Sequence, residues 1–356
     1  MCDVILKYIM SDKTGEIEID EDVEVLDLTH KGITEIDLSP ISKCTHLKGI
    51  LLDRNKLTSI DLSELTELIE LRELGLSRNS LDEIDLHPLG NLSNLELLNL
   101  GNNELSDIDL SPIKGMTSLK RLRLFNNGLG KIDLDVLTNC TELEILEIEN
   151  NGLKSVDLAP LENCTKLIQL NLMYNELKEI NLEPLATCYD LNNLYLHQNL
   201  ITKIDLTPLS TCTGLRILRL GGNKISTIDL EPLSMCKKLV RLELALNKLE
   251  ELDLSALAQT TQLSALDIAR NCLTEIDLNP LSRCKLLEEL YLWSDHEEEM
   301  NDFETIDISP LFLCESLDDI TVSPSTRLTA RADLEDYDEK PWAIDELIDK
   351  DRIDWL

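Results

Sequence analysis

The stretch from Leu215 to Lys238, LRILRLGGNKISTIDLEPLSMCKK, sets a 24-residue frame that recurs along most of the 356-residue chain. With Leu215 as position 1, apolar residues recur at positions 1, 4, 6, 11, 14, 16 and 19, and Asn recurs at position 9. The twelve copies begin at Val23, Leu47, Leu71, Leu95, Leu119, Leu143, Leu167, Leu191, Leu215, Leu239, Leu263 and Leu287. The next Leu in register is Leu317, 30 residues after Leu287, so the twelfth copy carries six extra residues. A fixed period of this length indicates a solenoid, in which each copy buries its apolar face against its neighbours.

Positions 3 to 6 of each copy predict a short strand. Leu218 and Leu220, at positions 4 and 6, alternate with outward positions 3 and 5, which is typical of a half-buried strand in a parallel sheet. Position 9 is Asn in ten successive copies, from Asn55 to Asn271. Because an amide offers both donors and an acceptor, we expect these Asn side chains to satisfy backbone groups where the chain leaves the strand. The end copies differ, with Lys31 in the first and Asp295 in the twelfth, as terminal repeats commonly do.

Positions 14 to 18 predict a turn into a short outer helix. Position 17 is Ser, Thr, Asp or Asn in eight copies and position 18 is usually Pro, so we expect an N-cap followed by one or two turns of α or 3₁₀ helix. Position 15 is an outward Asp, for example Asp229, with Asn181 in its place in the seventh copy. This column has two interpretations: hydrogen bonds to backbone amides two residues on, or a stack of carboxylates that binds Ca²⁺. Asn181 interrupts the charge of the stack, which favours the first.

The run LRELGLSRNSLDEI, from Leu71 to Ile84, has the pattern LxxLxLxxNxLxxI and resembles leucine-rich repeat proteins. The resemblance covers roughly residues 23 to 322. It implies an α/β solenoid: a horseshoe with a parallel β-sheet on the concave side and short α or 3₁₀ helices on the convex side. The pattern is similar to the phosphatase-regulator and internalin-like subclass, although that subclass has shorter repeats. We expect residues 1–22 to form an N-terminal cap, 23–316 to form the twelve repeats, and 317–356 to form a last strand and an acidic C-terminal cap.

Two segments outside the regular pattern each have two interpretations. The segment PWAIDELIDKDRIDWL, at the C-terminus, predicts a helix that covers the last repeat, or else a helix that engages another protein. The extra residues of the twelfth copy, at about 295–303, predict a loop that is either a binding loop or a neutral surface loop.

Cysteine usage indicates a reducing compartment. Eight of the ten Cys residues stand at position 22, where other copies have Leu, Met or Thr, so we expect buried thiols rather than disulfides or metal ligands. The N-terminus, MCDVILKYIMSDK, lacks a basic leader, and no apolar stretch is long enough for a membrane span. We therefore expect a cytoplasmic protein. Its net charge of −35 argues against nucleic acid or an anionic membrane as the partner and favours a soluble monomer.

The concave positions 2, 3, 5, 7 and 8 predict a protein-binding face. Aromatic and Arg residues, the usual anchors of protein interfaces, recur there. The candidate partner-binding residues are Arg121, Arg123, Phe125, Tyr174, Tyr195, His197, Arg219, Arg241, Tyr291 and Trp293. The seventh and eighth copies carry no acid or base at these positions, so we expect an aromatic centre flanked by a charged rim.

No catalytic set can be assembled from the sequence. The five His residues stand at scattered positions of the frame, and no Gly-rich loop cradles a phosphate. We therefore expect a non-enzymatic scaffold without a cofactor or metal, which binds another protein. Two alternatives remain: a secreted or surface adhesin, and a regulator of a GTPase or phosphatase pathway that uses the acidic C-terminal segment.

Overall fold

A computed structural model of the chain describes residues 4–11, 13–294 and 301–356. The chain divides into two compact units, unit 1 (Met1–Glu176) and unit 2 (Leu177–Leu356).

Unit 1 begins with an antiparallel hairpin, in which Val4 pairs with Ile19 and Met10 with Lys13. The first strand of the hairpin also pairs antiparallel with β4 of the first copy. The main sheet is parallel, in the order β3-β5-β6-β7-β8-β9-β10. The strands are β1 (Val4–Met10), β2 (Lys13–Ile19), β3 (Val25–Asp27), β4 (Glu35–Asp37), β5 (Gly49–Leu51), β6 (Glu73–Gly75), β7 (Leu97–Asn99), β8 (Arg121–Arg123), β9 (Ile145–Glu147) and β10 (Gln169–Asn171). The 3₁₀ helices are η1 (Ser39–Lys43), η2 (Ser63–Glu67), η3 (His87–Leu89), η4 (Ser111–Gly115), η5 (Asp135–Asn139) and η6 (Ala159–Asn163).

Unit 2 continues the same pattern, with a parallel sheet in the order β11-β12-β13-β14-β15-β17. A second parallel sheet, β16-β18-β19, lies beyond the last regular copy. The strands are β11 (Asn193–Tyr195), β12 (Ile217–Arg219), β13 (Arg241–Glu243), β14 (Ala265–Asp267), β15 (Glu289–Tyr291), β16 (Thr305–Asp307), β17 (Asp319–Thr321), β18 (Arg327–Ala330) and β19 (Ile353–Trp355). The helices are η7 (Glu183–Thr187), η8 (Thr207–Thr211), η9 (Glu231–Met235), η10 (Ser255–Gln259), η11 (Asn279–Arg283), η12 (Ser309–Leu313), η13 (Ala332–Leu334) and the α-helix α1 (Trp342–Asp349).

The leucines of position 4 form one buried column in each unit. In unit 2, Leu194 pairs with Leu218 and Leu218 with Leu242 across adjacent strands. All three side chains have 0% exposure. Because burial of a leucine side chain stabilises a fold by roughly 1.5–3 kcal/mol, the shared interior is the main source of stability. The predicted solenoid of parallel strands and short helices is confirmed.

Asn at position 9 satisfies the buried backbone, as predicted. Asn55 donates through Nδ2 to the carbonyls of Leu28 and Leu52, both at 2.9 Å. Its Oδ1 accepts from the Ile33 amide at 3.1 Å. One side chain therefore connects two successive copies.

The twelfth copy requires a correction. Asn301 donates to the carbonyls of Leu292 and Ile268 at 2.8 and 2.9 Å and accepts from the Leu273 amide at 3.1 Å. The assignment of position 9 to Asp295 was wrong, because the six extra residues, 295–300, precede the Asn of this copy. Asp295 and most of the predicted insertion lie outside the described residues.

The short outer helices are all 3₁₀, and their start differs from the prediction. The residue before each helix is the Leu or Ile of position 16, and no side chain caps it, for example in η9 and η12. Instead, the carboxylate of position 15 accepts the amide of position 17, as Asp229 does from Glu231 at 2.9 Å. Asn181 makes the same bond with Glu183 at 3.0 Å. The N-cap prediction for position 17 was therefore wrong, while the turn interpretation of the outer Asp is confirmed.

Candidate protein-binding face

The outward side chains at positions 2, 3, 5, 7 and 8 of each copy are here called the strand face. At its edge, position 8 has a left-handed backbone, with φ of 51° at Asn126 and Asn150 and 54° at Tyr174 in unit 1. In unit 2 the same position has φ of 56° at Gln198 and 60° at Leu246. Such a conformation costs of order 1 kcal/mol or more for a non-Gly residue. The hydrogen bonds between successive copies hold it, since the amide of Arg54 donates to the Ser77 carbonyl at 2.8 Å.

In unit 1, a cleft of about 390 Å³ opens on the strand face. Phe125, Glu149, Met173 and Tyr174 line it, and the Tyr174 side chain is 53% exposed. Phe125 lies against the backbone of Gly101, where an added Cβ would stand only 2.4 Å from the ring. Glycine at this place lets the aromatic ring approach the strand closely.

The edge of this cleft carries a second ladder of amides. Asn126 donates to Asn102 and Asn150 donates to Asn126, both at 2.9 Å. These bonds fix side chains that are exposed at Asn126 and Asn150. The cleft therefore has an ordered polar edge beside its aromatic residues.

Glu149 is the charged residue inside the cleft. It is half-buried, and its Oε2 atom is covered without a hydrogen-bond partner. Burial raises the pKa of this carboxyl to about 7, and the neighbouring Glu147 adds to the rise. A hydrogen bond from the backbone amide of Glu149 opposes the rise, and the charge of Arg123 opposes it less strongly. The Arg123 guanidinium is paired with Glu147, with Nε 2.8 Å from Oε2.

In unit 2, three predicted residues form one cluster. The guanidinium carbon of Arg219 stands 5.6 Å from the centre of the Tyr195 ring. The Tyr195 and His197 rings meet edge to face, with their centres 6.3 Å apart. Burial, and then the charge of Arg219, lower the pKa of His197 to about 4, so this imidazole is neutral at neutral pH.

An ion-pair network fixes the arginines of this unit. Arg219 Nε is 3.2 Å from Glu243, and Arg241 connects Glu243 at 3.4 Å with Glu289 at 2.9 Å. Arg219–Glu243 and Arg241–Glu289 join different strands along the strand face, whereas Arg241 and Glu243 both lie in β13, so each guanidinium has a defined position. Arg219 and Arg241 of the predicted charged rim are thus paired with glutamates within the protein.

A second cleft, of about 430 Å³, lies in unit 2 and is lined by Tyr291, Trp293 and Asp267. Asp267 accepts the Ala269 amide at 3.1 Å, and burial raises the pKa of its carboxyl to about 6. Burial and a hydrogen bond with Asp319 raise the pKa of Tyr291 to about 12. Ala245 and Ala269 line the same cleft beside Asp267.

The predicted residues thus fall into separate groups. Phe125 and Tyr174 share the cleft of unit 1, whereas Arg121 is exposed outside it. Tyr195, His197 and Arg219 form one cluster of unit 2, Arg241 joins the ion-pair network, and Tyr291 and Trp293 line the second cleft. Their role in partner binding stays a prediction. The burial of Glu149 and Asp267 was missed, since it depends on how the side chains of adjacent copies pack around each carboxyl, which the charge pattern does not reveal.

Within residues 4–11, 13–294 and 301–356, no three His, Cys, Asp or Glu side chains are grouped so as to hold a metal ion. Over the same residues, no helix combines the length and the apolar character needed to cross a bilayer.

The column of cysteines at position 22 is the remaining feature of note. Cys140, Cys212, Cys236, Cys284 and Cys314 are buried, free thiols. Cys236 donates through Sγ to the Leu209 carbonyl at 3.4 Å, and Cys314 donates to the Leu281 carbonyl at 3.3 Å. Cys212 and Cys284 donate in the same way to the carbonyls of Leu185 and Leu257, at 3.4 and 3.5 Å, so these four thiols each bond with the backbone of the copy before. Cys140 instead donates to the Val136 carbonyl of its own copy, at 4.0 Å.

Comparison with known proteins agrees with this architecture. A family model described as "Leucine rich repeat" matches residues 21–81, 69–129 and 190–249. No curated protein sequence matches the chain.

Three similar solved structures, two of them from Listeria monocytogenes, extend the agreement to most of the chain. An internalin, InlF, is 26% identical, with a TM-score of 0.64 over 86% of this chain and 90% of that one. The functional domain of InlJ, which includes a cysteine ladder, is 25% identical, with a TM-score of 0.69 over 92% of this chain and 64% of that one. A leucine-rich repeat protein of Leptospira interrogans is 21% identical, with a TM-score of 0.64 over 94% of this chain and 96% of that one, which is evidence of the fold alone.

The leucine-rich repeat fold is a common scaffold for protein–protein interaction, and its members are typically non-enzymatic. With its 24-residue period, its asparagine and leucine columns and its matches to the family model, this chain belongs to the leucine-rich repeat proteins.

Proposed function

We propose that this protein is a non-enzymatic scaffold that binds a partner protein on its strand face. The observation that carries the proposal is the cluster of Tyr195, His197 and Arg219 in unit 2. It places an aromatic ring, a neutral imidazole and a guanidinium together on an outward surface. Tyr and Arg are enriched among the residues that contribute most to protein interfaces.

The cluster is ordered before any partner arrives. Glu243 holds Arg219, which in turn stands over the Tyr195 ring. Immobilising a flexible side chain on binding costs about 0.5–1.5 kcal/mol, so side chains that are already fixed bind a partner at lower cost. This supports a role as an interface centre rather than as an ordinary solvated surface.

The partner can be obtained by affinity capture from the native cell extract and then titrated against purified variants. We expect the double variant Tyr195→Ala/Arg219→Glu to weaken binding by about 100-fold, since two central anchors each contribute about 1–2 kcal/mol or more. The matched control is Tyr189→Ala/Arg283→Glu, which removes the same residue types from exposed positions of unit 2 off the strand face. Unchanged affinity for the first variant would discard the proposal.

We also propose that the protein works in the cytoplasm as a monomer. Buried free thiols support a reducing compartment, because secreted proteins commonly oxidise their cysteines. A thiol titration of freshly purified protein, in denaturant and without a reductant, should find ten free thiols per chain, because all ten Cys residues would be reduced. Fewer than ten would instead favour the secreted adhesin.

A further inference from the structure

The cleft of unit 1 combines a carboxylate with aromatic walls. Glu149 lines the cleft, while Phe125 and Tyr174 supply its rings. A cation over an aromatic ring gains about 0.5–2 kcal/mol, and a half-buried carboxylate gains most from a charged donor. Lysine and arginine side chains have both the charge and the apolar stem that such a cleft accommodates.

The Glu149 carboxylate accepts a hydrogen bond from its own backbone amide, but one of its oxygens has no donor within the protein. Its Oε2 atom is shielded from solvent without a hydrogen-bond partner. The nearby guanidinium of Arg123 is committed to Glu147, which also accepts Gln169 Nε2 at 2.8 Å. A buried acceptor without a donor costs about 1–3 kcal/mol, and a donor from a partner would recover this cost when the carboxylate turns that oxygen toward the cleft.

The charges other than that of Glu149 also allow a basic side chain to occupy the cleft. Arg78 also lines the cleft, but it stands three copies before Glu149, roughly 14 Å away at the spacing of strands. The whole chain carries a net charge of −35, which attracts a basic partner over long range.

We propose that the cleft between Phe125 and Tyr174 recognises a lysine or arginine side chain of the partner protein, with Glu149 as its counter-charge. The inference rests on the proposed function, because it specifies one chemical feature of the partner. The basic head group donates to the carboxylate, its stem lies against the rings, and the neighbouring Asn ladder bonds with the backbone of the partner segment.

The test uses nonapeptide pools with random flanks and one fixed central residue: arginine, lysine, glutamate or citrulline, the neutral isostere of arginine. We expect the arginine and lysine pools to bind the full chain at least 10-fold more tightly than the citrulline and glutamate pools. This preference should disappear in Glu149→Gln and persist in Glu144→Gln, which removes another strand-face carboxylate of the same copy. Thermal unfolding of each variant confirms that the fold is retained.

Three outcomes would overturn the inference: equal binding of the arginine and citrulline pools, a basic preference that survives in Glu149→Gln, or no binding of any pool to the folded chain. None of them tests Tyr195 and Arg219, which lie in unit 2. If the peptide experiment fails, the proposed function is still tested separately, by the binding of the native partner to the Tyr195→Ala/Arg219→Glu variant.

Discussion

At the scale of single residues, Asn at position 9 has to satisfy three backbone groups at once. Asn247 donates to the carbonyls of Leu220 and Leu244 at 3.0 and 2.9 Å and accepts from the Ile225 amide at 3.0 Å. Its side chain is only 1% exposed, so water cannot replace these bonds. Hydrophobic and charged side chains lack the combination of donors and acceptor, which explains why one residue type fills the column.

We therefore expect Asn247→Ala to lower the free energy of unfolding by about 3 kcal/mol, since each buried group left without a partner costs about 1–3 kcal/mol. Urea denaturation followed by circular dichroism measures the loss. Asn279→Ala, at an exposed position of η11, should change stability by less than about 0.5 kcal/mol. Equal effects of the two variants would contradict the proposed role of the ladder.

Glu149 predicts a dependence of stability on pH. Its pKa is about 7 in the folded chain, against an ordinary value of 4.5, because burial disfavours the charge. The folded state thus holds the proton up to a higher pH than the unfolded state. The contribution of the protonated Glu149 carboxyl to the free energy of unfolding is therefore fully present below about pH 4.5 and is lost as the pH rises to 7.

Glu149→Gln, which stays neutral, should therefore be more stable than the natural protein at pH 8 and about equally stable at pH 4.5. The gain is at most about 3 kcal/mol, since one pKa unit corresponds to about 1.4 kcal/mol. Urea unfolding at both pH values gives the comparison. The charged groups that act on this carboxyl are Glu147 and Arg123. A gain of the same size at pH 4.5 would show that the effect does not come from the titration of Glu149.

At the scale of elements, the 3₁₀ helices show what a local sequence pattern can and cannot settle. Pro at position 18 and polar residues at position 17 correctly indicated a helix start. The identity of the capping group was wrong: the acceptor is the Asp or Asn of position 15, and the amide that it accepts is that of position 17 itself. Ala159 illustrates the point: its amide bonds with Asp157 at 2.9 Å, and its methyl side chain could not cap anything.

This arrangement predicts different outcomes for two substitutions at one position. Asp157→Ala should cost about 1 kcal/mol, the usual loss when a helix-start acceptor is removed. Asp157→Asn should be close to neutral, because Asn181 already makes this bond in the next copy. Chemical denaturation of both variants distinguishes them, and a loss as large for Asn as for Ala would mean that the charge, not the turn, is what position 15 contributes.

The sequence predicted most of the repeats because each copy solves the same packing problem with the same residues. The prediction was less accurate where a repeat lies next to an insertion or next to the C-terminal segment. Asn301 was missed because six residues precede it, and no period marks where an insertion ends. Trp355 was expected in a helix, yet Trp355 lies in β19, which pairs with β18. The edge of the last copy selects that strand, and a local pattern does not contain this information.

At the scale of the whole molecule, the C-terminal residues contact the last copies of unit 2. β18 pairs with β16, and α1 donates through the Ala343 amide to the Leu317 carbonyl at 3.1 Å. Phe312, only 1% exposed, meets the rings of Tyr337 and Trp355 edge to face at 6.4 and 6.1 Å. These contacts bury apolar surface that a further repeat would otherwise cover.

A chain that ends after residue 325 should therefore lose much of the stability of unit 2, because it lacks β18, β19 and α1.

Single substitutions in α1 test the packing of this segment without shortening the chain. Ile344→Ala, at a side chain with 0% exposure, should cost about 2–5 kcal/mol, the range for such a change in a packed interior. Trp342→Ala, where the side chain is 68% exposed, should cost less than about 0.5 kcal/mol. Urea unfolding measures all three proteins, and partner binding is measured on each in parallel. If the shortened chain and Ile344→Ala keep the stability of the natural protein but lose the partner, the segment is an effector rather than a cap, since only a covering role links burial of Ile344 to the folding of the repeats.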